Sequence, residues 1–312
     1  MRANAAHAAL LLAACVATAA RAELVVDTVT GVDDEHCGPF YDGDALCCWQ
    51  RGGGGRVRCA DTNPNATVHC RLTVAVDFGN GTVRQEEGQR SYWLMTKLQA
   101  GGSLQALLQR STVASERALL LCRGLLSGLA FLHEDVWARK RCVVHRDVKS
   151  ANVLLDDQLT PKIADFGLAL LTRNGRVTDE GTACVMVGTP RYMSPELLDG
   201  AIGFSASALR QIDVYAAALV LWEILSRAEL PDYDTRSYSP PYEAEVGSSP
   251  TIARLQVLVK QRGARPVLEE SWRRALPVAC GTIEEMWQSE PDARLTARCA
   301  FHRLNSDTKA DC

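Results

Sequence analysis

His145-Arg146-Asp147-Val148-Lys149-Ser150-Ala151-Asn152 sets a carboxylate, an ammonium two residues on and a carboxamide five residues on within one short segment. Such a segment can orient a hydroxyl, sit beside a phosphate and offer an amide oxygen to a metal ion. Two further blocks follow in order: Asp165-Phe166-Gly167, then Ser194-Pro195-Glu196 with Gly188-Thr189 ahead of it. One block alone is unspecific. Three in this order are specific, and they decide the fold.

The blocks resemble the catalytic loop, metal-binding turn and activation-segment anchor of a protein kinase. That resemblance assigns each residue a part. Asp147 accepts the hydrogen bond of the substrate hydroxyl and aims it for in-line attack, and Lys149 sits beside the transferring phosphate. Asn152 and Asp165 hold the nucleotide through Mg²⁺ or Mn²⁺, hard cations that prefer oxygen ligands. Lys149 with Gly188-Thr189 fits serine/threonine specificity. Arg146 and Thr189 frame the loop. Asp213 is expected to hold its backbone amides, and Glu196 to pair with Arg294 in a buried ion pair.

The chain has 312 residues, 47% of them hydrophobic, and a net charge of −3. That is enough apolar material for a core, and the balance argues against nucleic-acid partners. Residues 1–22 read as a signal peptide, with Arg2 at its start, an apolar stretch from Ala8 to Ala20 and small residues at Ala20-Arg21-Ala22. Cys37, Cys47, Cys48, Cys59 and Cys70 lie close to the sequons at Asn65 and Asn80. They mark residues 23–84 as a cysteine-rich, glycosylated extracellular-type module. Cys122, Cys142, Cys184, Cys280, Cys299 and Cys312 are scattered, as ordinary thiols are. Ile212–Leu225, the most apolar later run, carries Asp213 and Glu223 and is too short for a membrane span.

From residue 85 the texture becomes that of a mainly helical domain, expected over 85–305, with a short tail at 306–312. Tyr92–Met95 reads as a strand, and Ser103 as the N-cap of a helix. Ser115 to His133 carries apolar residues at helical spacing through Leu119, Leu120, Leu126, Leu129 and Leu132. Val153–Leu155 and Lys162–Ala164 flank a hairpin turn. Ile212–Leu225, apolar on nearly every face, suits a buried central helix. Later helices are expected over Thr251–Lys260, Thr282–Trp287 and Ala293–Leu304. The fold class is therefore α+β: a protein-kinase-like helical C-terminal lobe with a remnant of the N-terminal β lobe, preceded by the cysteine-rich module.

More narrowly, the sequence resembles the type II receptor serine/threonine kinases of the TGF-β superfamily, in the activin/BMP/anti-Müllerian branch. Gly128-Leu129-Ala130-Phe131-Leu132-His133-Glu134-Asp135, Ile163–Leu170, Gly188–Ile202, Leu219-Val220-Leu221-Trp222-Glu223 and Ala293-Arg294-Leu295-Thr296 carry it. It implies a single-pass receptor of the secretory pathway that binds a TGF-β-superfamily ligand. With ATP, the receptor phosphorylates a type I receptor kinase within a hetero-oligomer. The family's nucleotide loop, phosphate-binding lysine, its partner glutamate helix and membrane helix find no counterpart; the first lysine is Lys97. Ser194 and Ala218 stand where the family commonly has alanine and glycine. Impaired catalysis is expected, and a secreted ligand-binding decoy or a kinase-dead scaffold is the alternative.

Overall fold

The computed structural model describes residues 46–47, 96–97, 99–135, 140–173, 175–177, 186–200, 205–231, 233, 235 and 237–306. The signal peptide, the cysteine-rich module apart from Leu46–Cys47 (and so Asn65 and Asn80), the strand at Tyr92–Met95 and residues 307–312 lie outside them. The chain divides into two compact units, Met1–Gln99 and Ala100–Cys312. In the first, Leu46–Cys47 pairs antiparallel with Thr96–Lys97.

The second unit is mainly helical, built around one hydrophobic core. Helix α1 (Leu104–Arg110) starts where expected, because Ser103 Oγ accepts the Ala106 N–H at 3.1 Å and satisfies an orphan donor of the first turn. Helix α2 spans Ser115–His133. Its inward stripe is Leu121, Cys122, Leu125, Leu126, Leu129 and Leu132, whereas Leu120 is 50% exposed. Three consecutive leucines at 119–121 leave the helical phase open in sequence. Leu126, Leu129 and Leu132 face the core as expected, and in the leucine run packing takes Leu121 inward in place of Leu120.

Gly124 lets α2 lie directly on a strand. A Cβ there would stand 2.7 Å from the Pro161 ring.

Helix α3 (Pro195–Asp199) precedes α4 (Ala206–Ser226), which is capped by Ser205 and buried on every face from Gln211 to Leu221. Helices α5 (Glu243–Val246), α6 (Ile252–Leu255), α7 (Glu270–Ala275), α8 (Pro277–Met286) and α9 (Ala297–Ser306) follow. The helix expected over Thr251–Lys260 is α6 continued by a π-helical turn at Gln256–Gln261. That expected over Ala293–Leu304 is a 3₁₀ turn, Pro291–Ala293, and then α9. Helix α2 packs on both α4 and α9.

Short ribbons aim the loops. Val153–Leu155 pairs antiparallel with Gly102–Ser103 on one side and Pro161–Ile163 on the other. Its return strand starts one residue earlier than expected, at Pro161, because Leu155 takes that residue as partner. Val143–Val144 pairs with Leu170–Arg173, which pairs in turn with Arg176–Val177. Residues 145–152 are thereby held between two strands, and residues 164–169 bridge their neighbours.

Cys122, Cys142 and Cys280 are free and buried. Burial pushes the Cys122 thiol up to about 12, so it behaves as a small apolar side chain. Cys299, expected as a thiol, is disulfide-bonded. No helix among the described residues is long and apolar enough to cross a membrane.

Candidate active site

Asp213 organises the loop from beneath. It is the first acidic residue inside α4, heading its apolar stretch, and only 1% of it is exposed. Its Oδ2 accepts the His145 N–H at 2.7 Å and its Oδ1 the Arg146 N–H at 2.8 Å. Arg146 takes φ 65°, a costly left-handed conformation for a side chain of its size. Two charge-assisted bonds to consecutive amides hold it there. Arg146 Nε also donates to Leu168 O at 2.6 Å, tying the loop to the segment after Asp165. His133 Nε2 lies 3.0 Å from Asp213 Oδ2. Burial lowers the His133 pKa, an effect the Asp213 carboxylate only partly opposes.

Above this base, three predicted residues form a triangle on Asp147. Thr189 donates to Asp147 Oδ1 from its amide (2.9 Å) and its hydroxyl (2.7 Å). Lys149 Nζ donates to Asp147 Oδ2 at 2.8 Å and to Thr189 Oγ1 at 2.8 Å. Asn152 Nδ2 donates to Asp147 O at 2.9 Å and Oδ2 at 3.1 Å. Gly188, before Thr189, has φ 110°, and a Cβ there would stand 2.6 Å from Arg146 O. Only glycine lets the activation segment approach the loop this closely.

Because the Asn152 amide nitrogen is spent on Asp147, its oxygen points the other way and is available as a ligand. Asp165 is exposed and sits at φ 65°, ψ 69°, capping a 3₁₀ turn. Its Oδ1 accepts the Gly167 N–H at 3.4 Å. Ala164 N donates to Asn152 O at 2.8 Å, so the segments bearing the two candidate ligands are stitched together. Phe166 is buried edge-on against His145, with ring centroids 5.0 Å apart, which anchors the turn. An amide oxygen and a carboxylate form a donor set that suits Mg²⁺ or Mn²⁺.

Glu196 and Arg294 meet as expected, and their geometry is bidentate (2.7 and 2.7 Å). The pair ties α3 to the turn before α9. Every predicted site residue among those described lies in one of these connected clusters.

Sequence reasoning left out Glu223, the second carboxylate in α4. It is 0% exposed and accepts from Ser150 Oγ (2.7 Å), Tyr192 OH (2.7 Å) and Tyr238 OH (2.6 Å). Burial raises its pKa, against the lowering effect of these hydroxyls. A charge within an otherwise apolar helix was the available signal.

Residues 80–304 match the protein kinase domain family. The chicken activin receptor type-2A is 41% identical over 218 residues, which cover 68% of this chain and 42% of that receptor. The human type-2A receptor is 40% identical over the same length. The Xenopus laevis type-2B receptor is 39% identical over 233 residues, 70% of this chain and 45% of its own. The chain thus spans less than half the length of these relatives.

Proposed function

Since this chain belongs to the protein kinase family and is activin type II receptor-like in its kinase region, we propose that it carries the acceptor side of a receptor serine/threonine kinase. The observation supporting this most directly is the Lys149–Asp147–Thr189 triangle, with all three polar groups within 2.8 Å of one another. Asp147 orients the acceptor hydroxyl and takes its hydrogen bond. Lys149 places positive charge where the transferring phosphoryl group becomes most negative. Thr189 holds both in register and narrows the floor of the site, which suits a short serine or threonine side chain.

Asn152 and Asp165 would hold Mg²⁺ or Mn²⁺ with ATP, and the metal would neutralise phosphate charge. The protein's own residues then have little covalent work to do; they position and exclude. By likeness to the activin type-2 receptors, the acceptor is a type I receptor kinase, approached in a hetero-oligomer with a TGF-β-superfamily ligand. The same likeness supports reading the chain as part of a membrane receptor made in the secretory pathway. Residues 1–22 then act as the signal peptide, and Asn65 and Asn80 as glycan acceptors. Catalysis by this chain alone is impaired, because nothing in residues 85–96 supplies a lysine to the phosphates.

The test is a graft of residues 96–306 onto the N-terminal kinase lobe of the chicken type-2A receptor. With ATP and Mg²⁺ or Mn²⁺, it is expected to phosphorylate serine and threonine in peptides. Asp147→Asn should cut that rate about 10³-fold, the scale of a lost general base. A folded graft without transfer sinks the reading, and tyrosine phosphorylation overturns the specificity.

A further inference from the structure

The Glu223 carboxylate lies outside the reacting atoms, yet its partners bracket them. Ser150 immediately follows Lys149, and its hydroxyl donates to Glu223 Oε2 at 2.7 Å. Tyr192 closes the 3₁₀ turn that begins after Thr189, and its hydroxyl donates to Glu223 Oε1 at 2.7 Å. Each carboxylate oxygen therefore grips a different wall of the acceptor site. Tyr238 adds a third donor from the loop after α4 and itself accepts from Gln105 Nε2 of α1 at 3.4 Å. Ser150 and Tyr192 also approach one another, hydroxyl to hydroxyl, at 3.4 Å.

We propose that Glu223 is a positioning residue for the acceptor hydroxyl. Its two oxygens, acting through Ser150 and Tyr192, set how far apart Lys149 and Thr189 stand across Asp147. A fully buried ionised carboxylate is costly unless its lone pairs are satisfied. Three short hydroxyl bonds satisfy it here, and in return they draw the catalytic loop, the activation segment and the 237–242 loop onto one rigid helix. Arg191, between Thr189 and Tyr192, secures the same turn from the opposite side by donating to Pro241 O, Gly247 O and Ser248 O at 2.6–2.9 Å. The turn that presents Thr189 is thus pinned at both ends, and only the Glu223 end is shared with the Lys149 side. This assignment rests on reading Asp147 as the group that orients the acceptor.

Two backbone amides report the two walls. The Thr189 N–H donates to Asp147 Oδ1, and the Asn152 N–H donates to Lys149 O at 2.9 Å. The His145 and Arg146 amides, held by Asp213, report the loop's base independently of Glu223. Hydrogen exchange at these amides in the full chain gives the test. Tyr192→Phe is expected to speed exchange at Thr189 about tenfold, the scale of one hydrogen bond to a charged group, and to leave Asn152 unchanged. Ser150→Ala should do the reverse. Glu223→Gln should release both amides. His145 and Arg146 should not change in any of the three. Unchanged exchange at Thr189 and Asn152 in the two hydroxyl variants overturns the proposal. So does equal acceleration at all four amides, which would make Glu223 a general stabiliser of the lobe. Should Glu223→Gln fail to fold, the hydroxyl variants still decide. Phosphoryl transfer by the graft is a separate measurement, so an inactive graft with the expected exchange pattern counts against the kinase reading alone.

Discussion

Arg294 clasps Glu196 through both terminal nitrogens at 2.7 Å, with its side chain fully buried and only 12% of the Glu196 side chain exposed. Its Nε donates to Gln288 O at 2.7 Å and its Nη1 to Gln211 O at 2.9 Å, so the guanidinium is saturated. The Tyr215 ring lies beneath it, 5.2 Å from Cζ to centroid. Removing one partner of such a pair strands a charge in the interior. Glu196→Gln is expected to lower unfolding stability by about 3–5 kcal/mol, read as a fall in urea midpoint. A double variant, Glu196→Gln with Arg294→Met, should recover part of that loss. A double variant as unstable as the sum of the singles would show that the pair is not a coupled unit.

Ser194, two residues before Glu196, is also fully buried, and its Oγ has no hydrogen-bond partner. The hydroxyl loses its hydration on folding and gains nothing in exchange. Ser194→Ala removes that loss without opening a cavity. A gain of about 1 kcal/mol is expected, which raises Tm by about 2–4 °C for a domain of this size. A lower Tm would mean that a buried water or an undescribed group satisfies the hydroxyl.

His133 gives the lobe a pH dependence whose direction can be worked out. Its folded pKa lies below the ordinary 6.5, with burial as the main cause; Arg210 and Lys140 act in the same sense and Asp213 against it. The unfolded chain therefore binds the proton more readily than the folded one. Stability from this group is complete above pH 6.5 and is lost as pH falls through the folded value. Denaturant midpoints should decline below pH 6.5, and His133→Gln should flatten that part of the curve. An equally steep decline in the variant would place the titration elsewhere.

Much of the site was legible because its parts are local. Asp147, Lys149 and Asn152 lie within six consecutive residues, and Asp213 is conspicuous as a charge in an apolar helix. The Glu223 hub was not legible. Its donors lie 73, 31 and 15 residues away, and Tyr238 comes from a loop with no periodic pattern. Arg191 is hidden for a similar reason, since its partners are backbone carbonyls, which any residue can supply. In the fold, helix existence followed from periodicity, but the leucine run at 119–121 permitted two phases and only packing chose between them. Short helices such as α3 and α5 carry too few residues to show a period at all.

Phosphoryl transfer by the chain alone is expected to be negligible, although Asp147, Lys149 and Thr189 are brought together. A nucleotide has to be held from two sides. In the proposed reading Asn152 and Asp165 would hold the metal from the helical unit; the opposite side needs amide donors and a cation over the phosphates. The first lysine in the sequence is Lys97, in the strand Thr96–Lys97, and residues 85–96 offer no other ammonium. Loss of one preorganised donor costs about 2.7–4 kcal/mol in comparable electrostatic sites. With several lacking, a rate deficit above ~10⁴-fold follows. The purified chain with labelled ATP and Mg²⁺ or Mn²⁺ should incorporate no more label into itself or into peptides than its Asp147→Asn variant does. Label that this substitution abolishes would mean that another cation, from this chain or a second copy, reaches the phosphates and replaces the expected lysine.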